Sequence, residues 1–136
     1  MYEGRNYIDG EWQEIGEDTF EDVCPIHLGC LGHFPQSSPE EISGAYLAAR
    51  KSFPAWKAFG RVKRAELFYR LSQLIEERLP QIATVISFET GKNYNESVAE
   101  VNEALHMAQY AFGSGRMPFG EMVASEIPEK DSYMLR

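Results

Sequence analysis

The stretch SSPEEISGAYLAARKSFPAWKAF, residues 37–59, carries an unambiguous helix start. Ser38 is a natural N-cap, and Pro39 fits the first helical position, where its missing N–H costs nothing. Glu41 follows three residues after the cap, from where its carboxylate can reach back to the cap backbone. Ile42, Ala45, Tyr46, Ala49 and Phe53 then recur at helical spacing and predict one buried stripe. Pro54 is expected to end this helix, giving a span of 38–53. FPAWKAF then reads as an aromatic link, with Phe53, Trp56, Phe59, Phe68 and Tyr69 as packing around the helix junctions.

Toward the C-terminus the same period continues. Leu67, Leu71, Leu74, Ile75 and Arg78 share a face of a second helix, predicted over 61–79. Pro80 either kinks that helix or opens the next, over 80–90, with Ile82, Val85, Ile86 and Glu89 in phase. Gly91 suits a helix C-terminal position needing positive φ, and Lys92 meets the negative end of the helix dipole. A further helix, 95–112, has the stripe Val98, Val101, Leu105, Ala108 and Phe112, and Gly113 and Gly115 end it. GEMVASEIPEKDSYMLR, residues 120–136, changes character to two short strands joined by IPEKD. Met122, Val123, Tyr133, Met134 and Leu135 give this hairpin apolar surface that it cannot cover alone. It is expected to pair with further chain or another subunit.

Toward the N-terminus, NYIDGEW predicts a hairpin turning at Asp9-Gly10, where both turn positions accept positive φ. DTFEDV adds a strand that Pro25 closes, so the leading strands span 6–23. CPIHLGCLGH follows, with Cys24, His27, Cys30 and His33 at uniform spacing. Zinc takes four ligands in tetrahedral directions, usually from two knuckles separated by a longer segment. Here every gap is two residues, residues three apart on an extended chain point to opposite faces, and Pro25, Gly29 and Gly32 discourage a helix. The stretch reads as residue choice on a β turn, with a small Cys/His metal-binding protein as an alternative.

Composition excludes some classes. The chain has 136 residues, 43% apolar and 25% charged, so a real core is possible. The formal charge of −8 argues against nucleic acid as partner, because phosphate neutralisation needs a basic surface. The basic cluster Arg61, Lys63, Arg64 reads as the solvated face of a helix start. No apolar run is long enough to span a membrane, and the first residues lack the apolar core of a signal peptide. Two cysteines in such a chain point to reduced thiols and a cytoplasmic location. His106 reads as a surface or boundary histidine. Glu40/Glu41 and Glu76/Glu77 are adjacent rather than facing, hence a cap and a solvated face, not an acid/base dyad.

NYIDGEW, CPIHLGCLG, the helix-start stretch, RVKRAELFYRLSQLIEER, ETGK and the closing GEMVASEIPEKDSYMLR occur in an order that resembles the N-terminal part of the NAD(P)-dependent aldehyde dehydrogenase superfamily. The resemblance covers about residues 6–136. It implies an α/β fold: the N-terminal part of a Rossmann-like cofactor domain over 1–119, with antiparallel leading strands and three to four helices. Residues 120–136 would be the first strands of a β oligomerisation domain, engaging a homo-oligomer or a longer dehydrogenase subunit. The family reaction is oxidation of an aldehyde to a carboxylic acid through a cysteine thiohemiacetal, with NAD or NADP as cofactor.

The family's Pro-Trp-Asn motif, phosphate-binding turn, catalytic glutamate and Gln-x-x-Cys nucleophile are not in this sequence. No catalytic or cofactor-binding residue is therefore assigned, and NAD(P) is not expected to bind this chain alone. A non-catalytic assembly fragment is the competing reading. One site carries over by resemblance: a structural monovalent cation held by the main-chain oxygen of Val23 and by Glu89.

Overall fold

The computed structural model describes residues 2–135. Ten elements follow in order: β1 (Tyr2–Glu3), β2 (Tyr7–Ile8), β3 (Glu11–Trp12), β4 (Thr19–Val23), β5 (Cys30–Pro35), α1 (Pro39–Ala58), α2 (Arg61–Thr90), α3 (Tyr94–Ser114), β6 (Gly120–Val123) and β7 (Ser132–Leu135).

β2 and β3 form the expected hairpin, with Asp9 at φ 54° and Gly10 at φ 87°. The strands within 6–23 pair antiparallel, as expected, and the one parallel pairing among the described residues lies outside that range. β5 pairs antiparallel with β4, and β1 joins its other side in parallel, giving the order β1-β5-β4. Gly32 makes that parallel approach possible, because a Cβ there would run into the Tyr2 carbonyl. β5 extends the turn into a full strand through Gly32 to Pro35, residues that give the run little alternation of its own.

α1 opens as the sequence dictates. The Ser38 hydroxyl accepts from the Glu41 N–H at 3.2 Å, and the Glu41 carboxylate accepts from the Ser38 N–H at 2.7 Å. Its end is a correction: the helix runs through Pro54 to Ala58. A proline deletes one donor, and the residues beyond it re-form the ladder, with the Phe59 N–H on the Ala55 carbonyl at 2.9 Å. Stacking of Trp56 on Phe59 adds to that last turn.

Pro80 likewise neither ends nor restarts a helix, so 61–79 and 80–90 are one element, α2. Pro80 and Glu76, whose carbonyl loses a donor, both lie on the exposed side. Gly91 caps α2 in the left-handed region at φ 74°. The short link to Asn93, which caps α3 by accepting from the Asn95 N–H, brings α3 back along α2.

The α2–α3 pair is the main tertiary contact. Its seam is made of Ala65, Ser72 and Ala83 from α2 and Ser97, Val101, Leu105 and Ala108 from α3. Of the predicted α3 stripe, Val101, Leu105 and Ala108 are buried, Val98 and Phe112 are half-buried, and Ser97 joins the seam unpredicted. The α2 stripe is not where periodicity placed it: Leu67 and Leu71 are exposed, and small residues form the seam because they let the backbones come close. The predicted α1 stripe is a second correction. No residue of α1 is buried, and Ile42 and Tyr46 are 60% and 65% exposed. The aromatic set of Phe53, Trp56, Phe59, Phe68 and Tyr69 is also exposed rather than core. Periodicity identifies an apolar face but not its partner, and α1 packs only lightly on other elements of this chain.

β6 and β7 pair antiparallel from Gly120↔Leu135 to Val123↔Ser132, with Met122, Tyr133, Met134 and Leu135 exposed. No helix among the described residues is long and apolar enough to cross a membrane.

Candidate functional site

Two junctions gather the chemistry-bearing side chains. The first lies where α2 begins and α3 ends. Arg61 donates to the Ser114 carbonyl at 2.5 Å and places its guanidinium 5.7 Å from the Phe119 ring centre. Arg64 donates to the Trp56 and Lys57 carbonyls, each at 3.2 Å, and lies over Trp56. Arg116 pairs with Glu66. A cavity of about 390 Å³ opens between them, lined by Arg61, Arg64, Phe68, Tyr110 and Met117. The basic cluster is thus more than a solvated face. Two of its arginines tie helix ends together by satisfying carbonyls that a helix C-terminus leaves open.

The second junction is the turn between β4 and β5. The Cys24 N–H donates to the Gly29 carbonyl at 3.0 Å, and the Leu28 N–H to the Cys24 carbonyl at 2.9 Å. Leu28 takes φ 56°, a cost the turn imposes on a non-glycine residue. Pro25 and Ile26 lie against the α2 cap, so close that a Cβ on Gly91 would stand 3.1 Å from Pro25 Cγ. The segment after Val23 and the segment after Glu89 therefore meet. Both side chains are exposed.

The four-residue Cys/His pattern does not converge. Cys24 is fully buried, and His27 Nδ1 accepts from the Gly29 N–H at 3.1 Å. Cys30 Sγ and His33 Nε2 alone approach, at 3.9 Å. Among the described residues no group of three His, Cys, Asp or Glu is placed to hold a metal, so the four-ligand alternative fails on geometry. Both thiols are free, with no disulfide between Cys24 and Cys30. Neither suits nucleophilic attack. Cys24 is out of reach, and desolvation together with the neighbouring Glu21 carboxylate pushes the Cys30 thiol up, away from the thiolate. Sequence reasoning missed Glu21, because its position beside Cys30 depends on strand register. His106 is exposed, as expected.

The Rossmann-type dinucleotide site uses a glycine-rich turn between a strand and a helix N-terminus. The link from β5 to α1 is Gln36-Ser37-Ser38, without glycine, and the Glu41 carboxylate already occupies the helix start. A pyrophosphate would meet negative charge there. The start of α1 therefore does not form such a turn.

Residues 12–136 match the model of the aldehyde dehydrogenase family. The chain belongs to that family. A malonate-semialdehyde dehydrogenase of Oceanobacillus iheyensis is 33% identical over 133 residues, covering 97% of this chain and 27% of that protein. Among solved structures, a betaine aldehyde dehydrogenase point mutant from Staphylococcus aureus, in complex with NAD+, superposes with a TM-score of 0.85 at 28% identity, over 96% of this chain and 27% of the other. An NAD-dependent aldehyde dehydrogenase from Sinorhizobium meliloti gives 0.86 at 25% identity, over 98% and 28%. The chain thus spans about 27% of the length of the curated aldehyde dehydrogenase it matches, and corresponds to the N-terminal part of the fold.

Proposed function

We propose that this chain supplies the N-terminal scaffold of an NAD(P)-dependent aldehyde dehydrogenase and does not oxidise an aldehyde by itself. One observation carries the reading. The chain aligns over nearly its whole length with about 27% of a dehydrogenase, while its own two thiols are unsuited to forming a thiohemiacetal. The uncovered faces of α1 and of the β6–β7 hairpin support a role in assembly, with partners in the remainder of such a fold or in a second subunit. The relatives suggest a small aldehyde, malonate semialdehyde among them, as the substrate of the whole enzyme. By resemblance, the Val23 carbonyl and Glu89 serve as donors to a monovalent cation, a reading supported by the approach of their two segments at Gly91.

The test is direct. Purified chain is incubated with malonate semialdehyde or betaine aldehyde and NAD+ or NADP+, and absorbance of the reduced cofactor is followed. No turnover is expected, and steady cofactor reduction overturns the scaffold reading. Sizing over a range of concentrations tests assembly: a folded species that stays monomeric at high concentration removes it. A melting temperature that rises with potassium or sodium but not with choline supports the cation, and the rise should vanish in Glu89→Gln.

A further inference from the structure

β4 and β5 pair in step from Thr19↔Pro35 to Asp22↔Gly32, and the next pair is Val23↔Cys30. Leu31 is therefore an extra residue on β5, a bulge. An inserted residue reverses the side-chain alternation along the strand beyond it. In a regular strand Cys30 would share its face with Gly32 and Phe34 and point away from His33. The bulge turns Cys30 round to the His33 side, which is why the thiol and imidazole stand 3.9 Å apart. Glu21 is the direct cross-strand partner of His33, and its carboxylate neighbours the Cys30 thiol. On the other side Glu3 is the β1 partner of His33, its carboxylate 3.7 Å from Arg5. His33 is exposed and Cys30 half-buried, so the group is open to solvent.

We infer that Cys30 and His33 form a two-donor binding site for a soft d10 cation of the copper(I) type, with water as any further ligand. Spacing is the main reason. Taking zinc's bonds to sulfur and nitrogen, about 2.3 and 2.0–2.1 Å, as a guide to a d10 ion, the two donors stand roughly 3.6 Å apart at a tetrahedral angle and about 4.3 Å apart in a line. The observed 3.9 Å lies between, close to a three-coordinate angle. No third His, Cys, Asp or Glu is already in ligating position among the described residues, which disfavours a closed four-ligand zinc site and suits an ion of low coordination. Thiolate with imidazole selects copper(I) over hard cations, and the flanking carboxylates add favourable charge. On binding, the Cys30 S–H bond gives way to a sulfur–metal bond and the proton leaves to solvent, with no change of oxidation state. This site uses different atoms from the Val23 and Glu89 oxygens.

The experiment is an anaerobic titration of the full chain with copper(I), in competition with a colorimetric copper(I) chelator. One ion per chain is expected. Cys30→Ser and His33→Ala should each weaken binding by roughly a hundredfold, since loss of a supporting partner alone costs about 10–100-fold. Cys24→Ser and His27→Ala should leave it unchanged. Binding by His33→Ala as tight as by the parent reduces the site to a bare thiol and overturns the inference, as does affinity that follows Cys24. NMR of the parent chain guards against misfolded variants: copper(I) must move the His33 ring resonances, and unmoved resonances reject the site.

Discussion

The Cβ of Ala65 fills the space that a side chain at Gly115 would need. Ala65 lies in the first turns of α2 and Gly115 caps α3, so the two residues close one end of the helix pair. Arg61 spans the same junction to the Ser114 carbonyl. Gly115 has an ordinary helical φ of −63°, so it is needed for room and not for backbone freedom. Gly115→Ala should force the helix ends apart and lower stability by about 1–3 kcal/mol, the usual cost of overpacking. Urea unfolding measures this, and an unchanged midpoint would show that the ends are not in contact.

Gly91 and Gly44 should respond oppositely to the same substitution. Gly91 sits at φ 74° with Pro25 and Ile26 beside it, so Gly91→Ala adds backbone strain of about 1–2 kcal/mol and displaces the 24–29 turn. Gly44 lies inside α1 with open space around it. Gly44→Ala should stabilise the helix by roughly 0.5–1 kcal/mol. Thermal unfolding of the two variants is a paired test, and the opposite signs must both appear.

Local signals were the legible ones. The Ser38–Glu41 box, the Asp9-Gly10 turn and the Gly91 cap each depend on a few neighbouring residues, and each formed as read. The α3 stripe was legible because its partner, α2, lies in the same chain. The α1 stripe was not, because an apolar face records that something covers it without saying what. Pro54 and Pro80 misled because a proline on the exposed side of a long helix removes only one N–H donor and leaves the carbonyl four residues earlier to water. The Cys30–His33 approach could not be read at all: regular alternation puts them on opposite faces, and only the bulge at Leu31 brings them together.

Leu105 and Tyr46 separate what this chain buries from what it leaves for a partner. Leu105 is 8% exposed, in the α2–α3 seam, whereas Tyr46 is 65% exposed. Leu105→Ala should cost about 2–5 kcal/mol, as for large-to-small changes in a packed core. Tyr46→Ala should fall within about 0.5 kcal/mol of the parent, as for a surface position. Denaturant midpoints compare the two. A large loss at Tyr46 would mean that the α1 face is already covered in solution, which sizing of the same sample would reveal as self-association.

Glu41 should make the start of α1 sensitive to acid. Its carboxylate accepts the Ser38 N–H, and this bond, with the Ser38 side chain, holds it below the ordinary glutamate value of 4.5. A lowered folded-state value means that the fold favours the charged form. The contribution is therefore present above the unfolded-state value and is lost as pH falls through the folded-state one. Carbon NMR titration of Glu41 should give a lower midpoint in the folded chain than in the same chain in urea. Amide exchange at Ser38 should quicken across that acidic range and lose its pH dependence there in Glu41→Gln. Ser38→Ala should cost about 0.5–2 kcal/mol at neutral pH, since it orphans the Glu41 N–H. Equal midpoints for Glu41 in the folded and unfolded chain would mean that the reciprocal cap does not form in solution.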